Sequence, residues 1–184
     1  MCPKGDINPL LKVGVIFDLD QTLIDSVMAL QDRQSGNWNS VYSKIPQFKV
    51  FDGIEKILRF LNTRNIPVCI VTSSPRSYCE KVLSSLGIKV CFSICYHDSK
   101  NHKPHPEPIL IAKNKLINEY CCSSIISIGD TQSDLVASQK ANVISIAALW
   151  GSQERKLLQQ SQAHYILHTP IELYNLFNKF LNLN

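Results

Sequence analysis

The sequence predicts an α/β domain: a doubly wound, Rossmann-like parallel sheet with helices on both faces. Short runs rich in Val and Ile recur along the chain, stretches with helical periodicity separate them, and Gly, Pro and cap residues fall at the joints. Runs that are apolar at nearly every position, rather than at alternate ones, mark strands buried on both faces, which is the environment a helix-covered parallel sheet provides.

The first run is VGVIFDLD (13–20). After a mixed stretch, Ile54, Ile57, Leu58 and Leu61 repeat at i, i+3, i+4 and i+7, one apolar helix face, and Asp52 with Glu55 reads as a capping box opening it. PVCIVTSS (67–74) is the next strand. Ser74 followed by Pro75 reads as a cap with proline at the first helical position, Cys79, Val82, Leu83 and Leu86 form the helix face, and Gly87 is its stop. VCFSICYH (90–97), SIISIGDT (124–131) and NVISIAAL (142–149) are further strand candidates, a helical segment begins after Pro104, and Leu173, Leu176, Phe177 and Phe180 make a final amphipathic helix. Strands alternating with helices build right-handed βαβ units. The length of 184 residues suits one domain, taken as 1–184.

Composition narrows the class. With 45% hydrophobic and 18% charged residues the chain is of the globular type, not the disordered one. The net charge of +4 is mild and the basic residues are scattered, so no nucleic-acid partner is expected, while an anionic substrate is compatible. The opening MCPKGDINPLLKVGVIF lacks a signal-peptide pattern and no run is long enough to span a membrane, so the expectation is a cytoplasmic protein without a membrane partner. Seven cysteines without a CxxC pair read as reduced thiols, with Cys91 and Cys95 in ordinary core packing.

Polar residues end the strands. Ligands of doubly wound sheets bind beyond the carboxyl ends of the strands, and there the sequence places Asp18 and Asp20, Thr72, and Asp130. Residues two apart on a strand share a face, so Asp18 and Asp20 can address one ligand. Crowded carboxylates repel and raise one another's pKa unless a cation is present, and an all-oxygen donor set favours Mg²⁺. Lys103, just before a proline, can balance both a carboxylate and a phosphoryl group. His97, His102 and His105 read as exposed loop residues, not a zinc site.

Together these pieces resemble the four motifs of the haloacid dehalogenase-like superfamily, in its phosphoglycolate phosphatase-like branch: Asp18, Asp20 and Thr22 as DxDxT, Thr72 after an apolar strand, Lys103 followed by Pro104, and Gly129, Asp130 and Asp134 as GDxxxD. KPHPEPILIAKNKL, ALWGSQERKLL and AHYILHTPIELYNLF extend the resemblance over nearly the whole chain. It implies a Mg²⁺-dependent phosphatase acting on a phosphate monoester through an aspartyl-phosphate. Asp18 would be the nucleophile and Asp20 the general acid and base. Thr72, with Ser73 beside it, and Lys103 would hold the phosphoryl oxygens. The metal would lie between Asp18, the backbone carbonyl of Asp20, and Asp130, with Asp134 orienting metal-bound water, and Thr22 would be a local brace. A phosphotransferase or phosphomutase of the same superfamily, or a non-catalytic Mg²⁺ and phosphate-binding module, is the alternative.

The sequence departs from that branch in two ways. Gln21 stands where many relatives carry glycine, and residues 23–51 leave room only for a short cap where the branch carries a helical domain. Little space is left between Lys103 and Gly129 for a cap of the second type. The expectation is therefore an open site. Residues 23–51 are either a short lid, with Arg33, Trp38, Tyr42 and Lys44 as candidate contacts, or a loop tucked against the core. A small phosphorylated molecule is the expected substrate, with a bulkier phosphorylated molecule as the alternative that an open site allows, and a second copy of the chain covering the open site is a further expectation.

Overall fold

A computed structural model describes residues 12–181. Its central sheet has six strands, all parallel, in the order β5-β4-β1-β6-β7-β8: β1 (Val13–Phe17), β4 (Val68–Val71), β5 (Phe92–Ile94), β6 (Ser124–Gly129), β7 (Ile144–Ala148) and β8 (Tyr165–Leu167). β1 lies between β4 and β6, with Phe17 level with both Ile70 and Ile128. Strands β4 and β5 are added on one side of β1 and β6, β7 and β8 on the other, so the strand order switches here, which opens a crevice beyond the strand ends.

The near-continuous apolar runs do what two-sided burial requires. Val15 and Phe17 of β1, Ile70 of β4 and Ile146 of β7 point to one face; Ile16 and the Cys69 and Val71 side chains point to the other. The first face is covered by α3 (Ile54–Thr63), α4 (Arg76–Ser85) and α8 (Pro170–Leu181), through Ile57, Leu61, Val82, Leu173 and Phe177. The second is covered by α5 (Glu107–Tyr120) and α6 (Gln132–Lys140), through Ile109, Ala112, Leu116 and Ala137. A short helix, α7 (Arg155–Gln159), packs Leu158 against Leu149 at the far edge.

Residues 23–51 are not a loop. Two short helices, α1 (Leu30–Ser35) and α2 (Trp38–Lys44), are framed by an antiparallel pair, β2 (Ile24–Asp25) with β3 (Lys49–Val50). The segment seats Ala29, Val41, Ile45 and Phe48 in the first core cluster, so it is packed on the domain and not merely attached. Apolar spacing over so few residues is too short to reveal helices of six and seven residues.

Other local expectations differ in detail. α3 begins at Gly53, whose φ of +91° turns the chain beside Pro170, and Asp52 makes no side-chain cap. Ser74 does not cap α4 either: Pro75 takes the N-cap position, and the Ser74 hydroxyl donates instead to Asp20 Oδ2 at 3.0 Å. Gly87 does end α4, with φ +65° and the Ile88 amide returning to the Leu83 carbonyl. Cys95 is buried as expected, but Cys91 is exposed because β5 starts only at Phe92. Cys121 is disulfide-bonded, against the reading of every thiol as reduced, since a missing CxxC pair says nothing about a bridge formed across the fold. Cys2 lies outside the described residues.

Candidate active site

The strand ends deliver their polar residues to one cavity of about 420 Å³. Asp18 follows β1, its amide bonded to the Ile128 carbonyl of β6, so the sheet ladder continues into the site and fixes its backbone. Thr72 is fixed in the same way by the Ile94 carbonyl. Asp130 follows β6 directly, and Lys103 reaches in from the segment before α5.

Lys103 Nζ is saturated. It donates to Asp18 Oδ1 at 2.7 Å, to Asp134 Oδ1 at 2.5 Å and to the Val71 carbonyl at 3.1 Å. Burial works against its charge, but Asp134 and Asp18 outweigh that and hold its pKa above the ordinary lysine value. Asp134 is used at both oxygens: Oδ2 accepts from the Thr131 amide at 3.0 Å, completing a capping box at the start of α6. Gly129 leaves the space for this, since a Cβ there would lie 2.3 Å from the Asp134 Cβ.

Asp18, Asp130 and Asp134 each place a carboxylate oxygen within 4.8 Å of the others. One ammonium does not balance three carboxylates. Burial pushes the Asp18 pKa up to about 7, against the pull of Lys103, and burial with the charges of Asp18 and Asp134 pushes Asp130 up to about 9. Such a cluster lacks positive charge, and its donors are hard oxygens, so the residues present fit Mg²⁺. Thr22 braces the cluster as expected, its hydroxyl donating to Asp130 Oδ1 at 3.0 Å while its carbonyl accepts from Trp150 Nε1 at 2.8 Å.

The Asp20 carboxylate lines the same cavity but is not part of this cluster. Oδ1 accepts from Ser26 Oγ and Tyr78 OH, both at 2.6 Å, and lies 2.9 Å from Arg33 Nη1; Oδ2 accepts from Ser74. Only its backbone carbonyl remains for the metal set expected from sequence. Of the candidate contacts in 23–51, Arg33 and Trp38 line the cavity, together with Leu30 and Gln34. Tyr42 instead bonds Ser77, and Lys44 bonds Asp32 and the Met28 carbonyl, so neither belongs to the cavity wall. Ser73 lies on the wall and is exposed. His97 and His105 are exposed, and His102 stacks on Tyr96; none joins a metal-ligating group among the described residues.

Sequence reading missed Tyr78 and Ser26 as partners of Asp20. Tyr78 lies in the first turn of α4, directly after the strand end that carries Thr72 and Ser74, which is a usable signal once that strand end is placed in the site. Gln21 has φ +63°, the left-handed region that glycine occupies without strain. Its side chain can make use of the position: with the amide turned so that both of its atoms are satisfied, the oxygen accepts from the Ser26 and Val27 amides at 3.0 and 2.7 Å and the nitrogen donates to the Gly151 carbonyl at 3.3 Å.

Comparison with known proteins identifies relatives of the chain and of its fold. The chain is 33% identical over 120 residues to pyrophosphatase PpaX of Oceanobacillus iheyensis, a match covering 64% of this chain and 53% of that one. It is 32% identical over 107 residues to a phosphoglycolate phosphatase of Xanthomonas campestris pv. campestris, covering 57% and 48%. The chain thus spans about half the length of the curated relatives it matches. A hydrolase from Pseudomonas syringae superposes with a TM-score of 0.76 at 20% identity, over 90% of this chain and 98% of that one. A haloacid dehalogenase-like hydrolase from Streptococcus pneumoniae gives 0.71 at 20% identity, over 91% and 98%. The family model described as haloacid dehalogenase-like hydrolase matches residues 27–148, and the chain belongs to that family.

Proposed function

We propose that the chain is a Mg²⁺-dependent phosphatase that hydrolyses a small phosphate monoester through a phosphoryl-aspartate at Asp18. The observation that carries this reading is the cluster of Asp18, Asp130 and Asp134 around Lys103 at the floor of the cavity, with a second carboxylate, Asp20, on its wall. Mg²⁺ held by Asp18, the Asp20 carbonyl and Asp130 would offset the negative charge of the carboxylates and of the phosphoryl group.

Asp18 attacks phosphorus, the bond from phosphorus to the ester oxygen breaks, and Asp20 gives that oxygen its proton. Water, losing a proton to Asp20, then attacks phosphorus, which releases phosphate and restores the Asp18 carboxylate. Thr72 and Ser73 supply hydroxyl donors and Lys103 a fixed ammonium to the phosphoryl oxygens. Asp134, tied to both Lys103 and the start of α6, holds that ammonium in place. Residues 23–51 act as a short lid that walls one side of the cavity and leaves its mouth accessible. The named activities of the curated relatives, on pyrophosphate and phosphoglycolate, support a phosphorylated small molecule as substrate.

The test is hydrolysis of an aryl phosphate with Mg²⁺, with chelator, and by Asp18→Asn. Turnover that needs Mg²⁺ and vanishes in the variant supports the reading. Turnover that persists in Asp18→Asn sinks it.

A further inference from the structure

We infer that Trp150, Gly151 and Ser152, on the turn that follows β7, are positioning residues: they hold the two loops that carry the Mg²⁺ ligands at a fixed spacing and so set the affinity for the metal. This deepens the phosphatase reading and rests on it for the ligand set of Asp18, the Asp20 carbonyl and Asp130.

The turn touches both loops. Trp150 Nε1 donates to the Thr22 carbonyl at 2.8 Å, on the loop after β1, and Ser152 Oγ donates to the Asp130 carbonyl at 2.6 Å, at the end of β6. The loops are also joined directly, by the Thr22 hydroxyl that donates to Asp130 Oδ1 at 3.0 Å. Three hydrogen bonds therefore close a ring from Thr22 to Asp130, through Ser152 and Gly151 to Trp150, and back to Thr22. Gly151 makes the closure possible. A Cβ there would lie 2.1 Å from the Gln21 carbonyl oxygen, so only a residue without a side chain lets the turn come this close.

The Ser152 hydroxyl is aimed. Its oxygen accepts from the Glu154 amide at 2.9 Å, which directs its proton to the Asp130 carbonyl, and the residue is buried. The Glu154 carboxylate in turn accepts from the Gln132 amide at 2.8 Å, at the start of α6. Asp130 is thus bracketed, with Thr22 on its carboxylate, Ser152 on its carbonyl and Glu154 on the chain just beyond it. Such bracing matters at this place because Asp18, Asp130 and Asp134 bring like charges together, and carboxylates that repel one another move apart unless they are held. The ring resists that movement in the metal-free protein and keeps Asp130 within reach of an ion that also touches Asp18. Groups bonded behind metal ligands act on affinity in this way.

The experiment is calorimetric titration with Mg²⁺ of wild type, Ser152→Ala, Trp150→Phe and the double variant, each shown to be folded by circular dichroism. Ile57→Val, in the core on α3 and outside the cavity wall, controls for lowered stability alone. The expected result is a Kd for Mg²⁺ about ten- to a hundredfold weaker in each single variant and unchanged in Ile57→Val. The double variant should lose less than the two losses combined, because either substitution opens the same ring. An unchanged Kd in either single variant, losses that combine in full, or an equal loss in Ile57→Val overturns the proposal and leaves the phosphatase reading standing. If wild type itself binds no Mg²⁺, the metal part of that reading fails and the proposal falls with it.

Discussion

Asp130→Asn should make the metal-free protein more stable and the Mg²⁺-loaded protein relatively less so. Asp130 is buried between Asp18 and Asp134, and its pKa is pushed up to about 9 from an ordinary 3.8. A carboxyl whose folded pKa lies above its unfolded value holds its proton more tightly in the fold. Stability is therefore highest at low pH and is lost as pH rises from about 4 towards 9. At pH 7 a ceiling of roughly 4 kcal/mol follows from ~1.36 kcal/mol per pH unit. Asp18 and Lys103 share the same field, so removing one carboxyl recovers less, about 1–2 kcal/mol. Asparagine keeps the oxygen that accepts from Thr22 and lacks the charge. For a chain of this length the gain corresponds to roughly 2–8 °C in Tm. Scanning calorimetry in chelator at pH 7 and pH 5 should show the advantage at pH 7 and a smaller one at pH 5. Saturating Mg²⁺ should reverse the order, because only the wild type gains the linkage term. A chelated Asp130→Asn protein that melts at or below wild type at pH 7, or an equal Mg²⁺ shift in both, refutes the account.

Three further outcomes are expected. Lys103→Met leaves Asp18 and Asp134 facing each other without their cation, and urea unfolding at pH 7 should show a loss of about 3–5 kcal/mol that shrinks as the carboxyls are protonated at lower pH. Gly129→Ala should displace Asp134 and cost about 1–3 kcal/mol with activity falling more than stability predicts, read by urea unfolding beside phosphatase assay. Tyr78→Phe keeps the ring packed on Trp38 and Phe48 but removes one donor to Asp20; kcat/KM should fall about tenfold while stability changes by less than about 2 kcal/mol.

The sheet was legible because two-sided burial forces Val and Ile into unbroken runs, as at Val13–Phe17 and Ser124–Gly129. The grouping of Asp18, Asp130 and Lys103 was legible for a related reason: in a parallel sheet, carboxyl ends of strands distant in sequence meet at one edge. Side-chain direction was not. Ser74 looked like a cap because local spacing cannot register Asp20, fifty-four positions earlier, as a stronger partner. The helices of 23–51 were hidden by their brevity, and their hold on the core comes from tertiary packing of Val41, Ile45 and Phe48, not from propensity. Gln21 was recognised as a departure from glycine, yet its bonds to the Ser26 and Val27 amides become visible only once the turn is built.

The pairing of β2 with β3 brings Ile24 opposite Val50 and Asp25 opposite Lys49, so the chain leaves the core and returns to it at adjacent points. To the sheet, everything between is a closed ring tied at its neck. The free energy of closing such a ring grows only with the logarithm of its length, about 0.6 kcal/mol for each doubling. The core can therefore carry a much larger or smaller ring without moving Asp18.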